Sequence, residues 1–294
     1  MFKSLAGTLA RSPLFKRGRE LYALNKKDWN HQLTKPGKLQ LGLYLILEDY
    51  SKGLFPPPFK DQQVAFAGEI AYRTATAGTT AEQVSEGELR KPFWNANSVR
   101  KYLEDYCRLV ENLELAQLRA PARLLELGCG SGWMAEMLAM GGYEVTGTSI
   151  APDDIADARK RVDSLSAKGL KRSLRFEIAP MESVAEMVGP AGFYDGVFVF
   201  EALHHAFDWR QALDSGLKCL KPGGVLLICN EPNLVHTFSS YRVARFSNTH
   251  EIGFSRAELM RHLRGSAACA SVDYLSTPWH FWCRHHWILA RKKS

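Results

Sequence analysis

Glu126, Gly128, Gly130 and Gly132 stand at every second position of one short stretch. That spacing suits the binding of a nucleotide-like ligand. Glycine reaches positive φ in a tight turn and carries no Cβ, so main-chain N–H groups can come close to the ligand. The glutamate ahead of them lies inside an apolar run, Arg123 to Leu127, where a charge needs a partner. The other residues able to do chemistry follow a second apolar run, Asp195 to Phe200, which ends in Glu201-Ala202-Leu203-His204-His205. A histidine there can take a proton from a hydroxyl or a protonated amine. His205 is the preferred base, with Glu201 beside it. For each histidine, a ring bonded to backbone is the structural alternative. Glu231 and His236 follow the next apolar run.

His280, Cys283, His285 and His286 are interleaved with Trp279, Trp282 and Trp287. A strand hairpin with aromatic cross-strand packing is preferred there to a set of converging ligands, and no metal is expected.

These residues need a scaffold. The run Arg123–Leu127 predicts a short buried strand, and Trp133–Met140, rich in good helix formers, predicts a helix. Strand and helix then alternate. Tyr143 to Ile150 reads as a strand, a helix opened by Pro152, Asp153 and Asp154 reaches about Ala167, and Leu174 to Ile178 is a third strand. A short helix at Met181 to Val188, the strand Asp195 to Phe200, a helix at Asp208 to Leu220 and the strand Val225 to Asn230 follow. Ser255-x-x-Glu258 is a capping box for a helix at Arg256 to Arg264, and Ala270 to Ser276 and Trp287 to Ala290 close the chain as an antiparallel pair. Such alternation predicts an α/β fold with a mostly parallel sheet that binds its ligand at the C-terminal strand edge. The glycine spacing is neither G-x-G-x-x-G followed by an acid nor a phosphate loop with Lys-Ser/Thr.

Upstream, residues 1 to about 30 are basic and weakly amphipathic, with Phe2, Leu5, Leu9 and Leu14 among the apolar positions. They read either as a membrane-surface or substrate-docking helix or as a helix packed on the main domain. Leu39 to Leu47 reads as a buried helix or strand, and Pro56-Pro57-Pro58 as an extended connection. Residues 59–95 read as a loop-rich lid or cap, in which Phe93 and Trp94 either close over a ligand or form a hydrophobic hinge. Ser98 is the expected cap of a helix to about Leu118. The expected division is an N-terminal cap over residues 1–95 and a ligand-binding domain over residues 96–294.

Together the ordered motifs resemble a known family. Glu126-x-Gly-x-Gly-x-Gly132 ends the first strand. Tyr194-Asp195 opens a strand closing in Ala202-Leu203-His204-His205, and Leu220-Lys221-Pro222-Gly223-Gly224 precedes the fifth. Over about residues 98–294 this is similar to the class I, Rossmann-like S-adenosylmethionine-dependent methyltransferases. The resemblance implies a seven-stranded, mostly parallel sheet with helices on both faces, an N-terminal helical or loop-rich cap, and S-adenosylmethionine as cofactor. It implies that Gly128, Cys129, Gly130 and Gly132 line the methionine and ribose part, and that Glu126 organises the amino-acid end. Where the family has an acid for the ribose hydroxyls this chain has Ser149, followed by Ile150, with Asp153 and Asp154 a few residues on. The acid expected near the adenine amine is replaced by Ala179-Pro180, which leaves Met181 to pack on the ring and Glu182 close by. Phe200 completes the implied cofactor set.

The chain has 294 residues, 46% hydrophobic content and a net charge of +7. Six cysteines without a C-x-x-C pair suggest reduced thiols in a cytoplasmic protein, and no apolar run is long enough for a membrane span. No secretory leader is expected. The expected function is methyl transfer to a small-molecule, glycan or lipid-linked acceptor. Residues 232–254, with Trp94, Glu231, Tyr241 and Arg245, would shape the acceptor side. Two alternatives stay open. One is an RNA methyltransferase, motivated by the positive charge, although no RNA-binding module is present. The other is a non-catalytic binding protein that keeps the fold. Peripheral membrane contact through the basic N-terminus is compatible with either, and the oligomeric state is not indicated.

Overall fold

The computed structural model describes residues 2–27, 33–54, 61–75, 80–276 and 285–294. The expected Pro56–Pro58 connection and the His280–Cys283 stretch lie outside these residues. By density of contacts the chain forms two compact units, one of residues 1–79 and 232–254 and one of residues 80–231 and 255–294.

The second unit carries the sheet. Its strands are β1 (Arg123–Leu127), β2 (Glu144–Ser149), β3 (Leu174–Ile178), β4 (Tyr194–Phe200), β5 (Leu220–Pro232), β6 (Cys269–Tyr274) and β7 (His285–Lys292). They lie in the order 3-2-1-4-5-7-6. The pairs β1–β2, β1–β4, β2–β3 and β4–β5 are parallel, and β6–β7 is antiparallel. β7 also runs against β5. His285 Nδ1 meets the Asn230 carbonyl at one end, and Gly223 N–H bonds to the Lys293 carbonyl at the other. The expected mostly parallel seven-stranded α/β sheet is thus the observed one.

The strands are nearly continuous apolar runs because helices cover both faces. These are α5 (Ala81–Leu89), α6 (Ala96–Leu115), α7 (Trp133–Met140), α8 (Pro152–Ala167), α9 (Val184–Met187), α10 (Trp209–Cys219) and α12 (Arg256–Gly265). Leu109, Leu113, Leu124, Met134, Leu138, Ile155, Phe198 and Trp287 form the centre of the core. Asp208 caps α10 by accepting from Arg210 N–H and Gln211 N–H, and Ser255 caps α12.

Local order differs from expectation in two places. Residues 81–89, expected as loop, are helical because Thr80 and Gln83 form a reciprocal capping box. The helix expected to start at Ser98 starts at Ala96, since the Asn95 side chain accepts from Ser98 N–H and is the cap.

The first unit is helical: α1 (Phe2–Arg11), α2 (Lys16–Lys27), α3 (Lys35–Lys52), α4 (Gln62–Ala75) and α11 (Val235–Ser247). α4 also replaces expected loop. The Leu39–Leu47 run resolves as helix, and α3 is the hub against which α1, α2 and α11 pack. Gly42 makes this possible: a Cβ there would collide with the Phe238 carbonyl of α11. Among the described residues no helix is long and apolar enough to cross a membrane.

Candidate active site

The glycine turn connects β1 to α7 at the C-terminal edge of the sheet. Its three glycines do different work. A Cβ at Gly128 would press on Ala202 Cβ, and one at Gly132 would strike the Phe176 ring at 2.5 Å, so both are places of close packing. Gly130 has φ +51° and nothing within 4 Å of an added Cβ, so it faces open space. Cys129 N–H bonds to the Thr148 carbonyl at 2.7 Å and ties the turn to β2. The Cys129 thiol is buried, which pushes its pKa up.

Glu126 lies beneath this turn. Its carboxyl accepts from the Ala135 backbone, but its Oε2 is buried and meets no donor among the described residues. Burial pushes its pKa up to about 8. A buried carboxylate oxygen without a donor is a place for a ligand's cation. The buried oxygen on the strand and the open space at Gly130 in the turn that follows it fit the amino-acid end of S-adenosylmethionine.

The other residues expected at the cofactor gather around the turn to different degrees. Met181 lies against Gly128 and is half-buried, as is Ile150 after β2. Ser149 is buried, and its Oγ lies 3.0 Å from Asp154 Oδ2 while accepting from Ala151 N–H. The carboxylate absent from the end of β2 therefore arrives from the first turn of α8. Phe200 is buried in the core, edge-on to Trp133 and Trp287, so its ring packs the interior. Glu182 is buried and accepts from Asp208 N–H at the start of α10.

One bracing network had no counterpart in the sequence reading. Arg161 of α8 is buried and donates to the Ser131 carbonyl at 2.8 Å, Glu136 Oε2 at 2.6 Å, the Glu88 carbonyl at 2.7 Å and the Lys91 carbonyl at 3.1 Å. Ser131 Oγ donates to Glu88 Oε2 at 3.0 Å. α5 and the turn after it are thereby fastened to the glycine turn. That turn presents Phe93 and Trp94, both exposed. The signal was available as the Thr80–Gln83 capping box, but Arg161 alone does not announce partners some 70 residues away.

Beyond β4 the chain enters a 3-10 turn, Leu203–His205. Glu231 holds it. Fully buried, it accepts from Ala202 N–H and Leu203 N–H at 2.8 Å, from His204 N–H at 3.2 Å and from His204 Nδ1 at 2.9 Å. Its expected acceptor role is corrected to that of an anchor. Burial pushes its pKa up to about 7 despite these donors. His205 is half-buried with its ring centroid 4.2 Å from that of His204. Glu201 and Asn230, at the ends of adjacent strands, have φ of +46° and +60°, and Asn230 Nδ2 donates to Glu201 Oε1 at 2.8 Å. Lys101 joins them, 3.1 Å from Glu201 and 2.8 Å from Asp105. Strained backbone at the binding edge of a sheet marks a site.

In the first unit, Tyr241 Oη donates to Asp49 Oδ2 at 3.0 Å and Arg245 Nε lies 3.2 Å from the same oxygen. The polar ends of both thus secure α11 to a buried carboxylate, which is a structural engagement rather than the acceptor contact expected of them. His285 bonds to the Asn230 carbonyl and His286 to Tyr274 Oη, so the two neighbours turn to different partners.

Gly130→Val is expected to abolish S-adenosylmethionine binding by calorimetry while the unfolding midpoint falls by only a few degrees. The new side chain enters open space, and its cost to the fold is about 1–2 kcal/mol of left-handed strain. Wild-type affinity in this variant would place the site elsewhere.

The comparisons with known proteins agree with this geometry. A family model described as a methyltransferase domain matches residues 99–267, more than half of the chain. The chain is 35% identical over 107 residues to an S-adenosyl-L-methionine-dependent Diels-Alderase of Talaromyces variabilis, covering 36% of this chain and 35% of that one. It is 28% identical over 149 residues to the ubiquinone biosynthesis O-methyltransferase of Dechloromonas aromatica, covering 50% of this chain and 61% of that one. The matched part thus spans less than two thirds of either relative. Among solved structures, a magnesium protoporphyrin IX methyltransferase of Synechocystis PCC 6803 with bound S-adenosylhomocysteine superposes with a TM-score of 0.50 at 16% identity, over 71% of this chain and 93% of that one. The CurJ carbon methyltransferase gives 0.50 at 15% identity, over 94% of this chain and 71% of that one. At such identities these two likenesses show the fold. The matched domain model, the strand order and the ligand-ready glycine turn agree, and the chain belongs to the class I, Rossmann-like S-adenosylmethionine-dependent methyltransferases.

Proposed function

We propose that the protein transfers the methyl group of S-adenosylmethionine to an oxygen of a small-molecule or lipid-linked acceptor. The observation that carries the cofactor side is Glu126 Oε2, buried without a donor at the end of the strand that leads into the open turn at Gly130. Similarity to ubiquinone biosynthesis O-methyltransferases supports an oxygen acceptor.

The bound cofactor supplies an electrophilic sulfonium methyl group. The chain's part is to bind, orient and handle one proton. Glu126 would hold the cofactor's ammonium, the pair Ser149–Asp154 would take the ribose hydroxyls, and Met181 and Ile150 would contact the base. His205, carried on the turn that Glu231 anchors, accepts the acceptor's hydroxyl proton, and the strained pair Glu201–Asn230 lines the same edge. Exposed Trp94 borders the acceptor side.

The test is formation of S-adenosylhomocysteine with a panel of phenolic and lipid-linked hydroxyl compounds. His205→Asn is expected to lower kcat by about 100-fold, with cofactor affinity intact and the rise of rate with pH lost. Asp154→Asn is expected to raise the cofactor KM by roughly tenfold with little change in kcat. Cofactor binding with cycloaddition of a diene and no S-adenosylhomocysteine formed from any acceptor would instead favour the activity named for the Diels-Alderase relative.

A further inference from the structure

We propose that the outer face of α1, together with Leu14, docks this protein peripherally on an anionic lipid surface. Only half of the apolar face of α1 is used inside the fold. Ala6, Gly7 and Ala10 are buried, and Gly7 packs against Ser51 of α3. Phe2, Leu5 and Leu9 recur at helical spacing on the neighbouring half and stay 74%, 56% and 39% exposed. Leu14 follows at 79% exposure, the highest value for a large apolar side chain among the described residues. Its exposure is built in. Arg19 donates to the Ala10 carbonyl at 2.6 Å and the Ser12 carbonyl at 2.9 Å, which braces the turn that holds Leu14 outward.

Charge decides what covers this face. Residues 2–24 contain Lys3, Arg11, Lys16, Arg17 and Arg19 against one acid, Glu20. Lys3, Arg11, Lys16 and Arg17 are exposed. A segment that leaves large apolar side chains exposed on one helix face, with exposed basic residues on the same helix and just after it, suits the headgroup region of a bilayer, where apolar burial and attraction to anionic lipid add. A second copy of the same face would bring these basic residues against their own kind, which disfavours self-association. The docking stands apart from the transferase reading, since no cofactor or acceptor residue takes part.

Co-sedimentation of the full chain with vesicles tests it. Binding to phosphatidylcholine–phosphatidylglycerol vesicles is expected, with little binding to phosphatidylcholine alone and loss at high salt. Leu5→Glu/Leu9→Glu should reduce partition by more than tenfold, and Lys16→Gln/Arg17→Gln by about fivefold per charge. These side chains are exposed, so circular dichroism and S-adenosylmethionine affinity should stay unchanged. Wild-type protein left in the supernatant with anionic vesicles would overturn the proposal. So would a leucine double variant that binds as well as wild type, or a wild-type dimer on light scattering that the double variant converts to monomer.

Discussion

Glu126→Gln is expected to weaken S-adenosylmethionine binding by about 30- to 150-fold and, at the same time, to make the ligand-free protein harder to unfold at pH 8. The first effect follows from losing one buried charge-assisted contact, whose scale is about 2–3 kcal/mol. The second follows from linkage. Burial pushes the Glu126 pKa from the ordinary 4.5 up to about 8. Between those values the folded chain holds a proton that the unfolded chain has released, so stability falls as pH rises through this window. The loss reaches up to about 5 kcal/mol for a shift of this size. Glutamine keeps the oxygen that meets Ala135 and removes the ionisation. Melting curves of wild type and variant at pH 5 and pH 8, with and without cofactor, check both effects. Wild type should gain more from the cofactor at pH 8 than at pH 5, because a bound ammonium relieves the carboxylate. A variant that melts lower than wild type at pH 8, or binds equally well, would remove the ligand role of Glu126.

Glu231→Gln should act in the opposite way, on the fold and the turn first. All four donors to Glu231 point at carboxylate oxygens, two at each. An amide must turn its NH₂ towards two of them. The expected cost is about 3 kcal/mol, within the range for breaking a buried, fully bonded charged group. That corresponds to an unfolding midpoint lowered by roughly 6–12 °C. Turnover should fall as well, because the disturbed turn carries His205, while S-adenosylmethionine still binds, more weakly where Ala202 no longer packs squarely on Gly128. Denaturant unfolding and calorimetry on the same preparation separate the two. An unchanged midpoint would mean that the carboxylate is not an anchor and would return Glu231 to the acceptor side.

Much of the scaffold is legible in the sequence. Short apolar runs bounded by glycine, and helix formers between them, fix where parallel strands and crossover helices lie, because a strand buried on both faces must be apolar throughout. The glycine turn with Glu126 was legible for the same reason: a charge within such a strand demands a ligand or a donor. What stayed hidden depends on distance in the sequence. Nothing local in Ser149 shows that Asp154 reaches its hydroxyl from the next helix. Glu231 sits in the right place for an acceptor contact, and only the fold shows three backbone N–H groups of residues 202–204 turned towards it. Tyr241 and Arg245 looked like acceptor residues because aromatic and basic side chains suit ligands. Asp49, nearly 200 residues earlier in the chain, is what they meet. Residues 62–75 and 81–89 were obscured by small polar side chains, whose helices rest on caps and tertiary packing rather than on a strong apolar stripe.

The Arg161 clamp bears on how this chain can be shortened. The recognisable family segment starts at residue 99, yet two of the carbonyls that receive the Arg161 guanidinium belong to residues 88 and 91. A fragment begun at the similarity boundary would keep the buried cation and lose half of its acceptors, leaving donors unmet where water is scarce. The minimal piece able to hold the glycine turn in shape therefore begins near Thr80, so sequence likeness underestimates the cofactor module of this chain by about twenty residues.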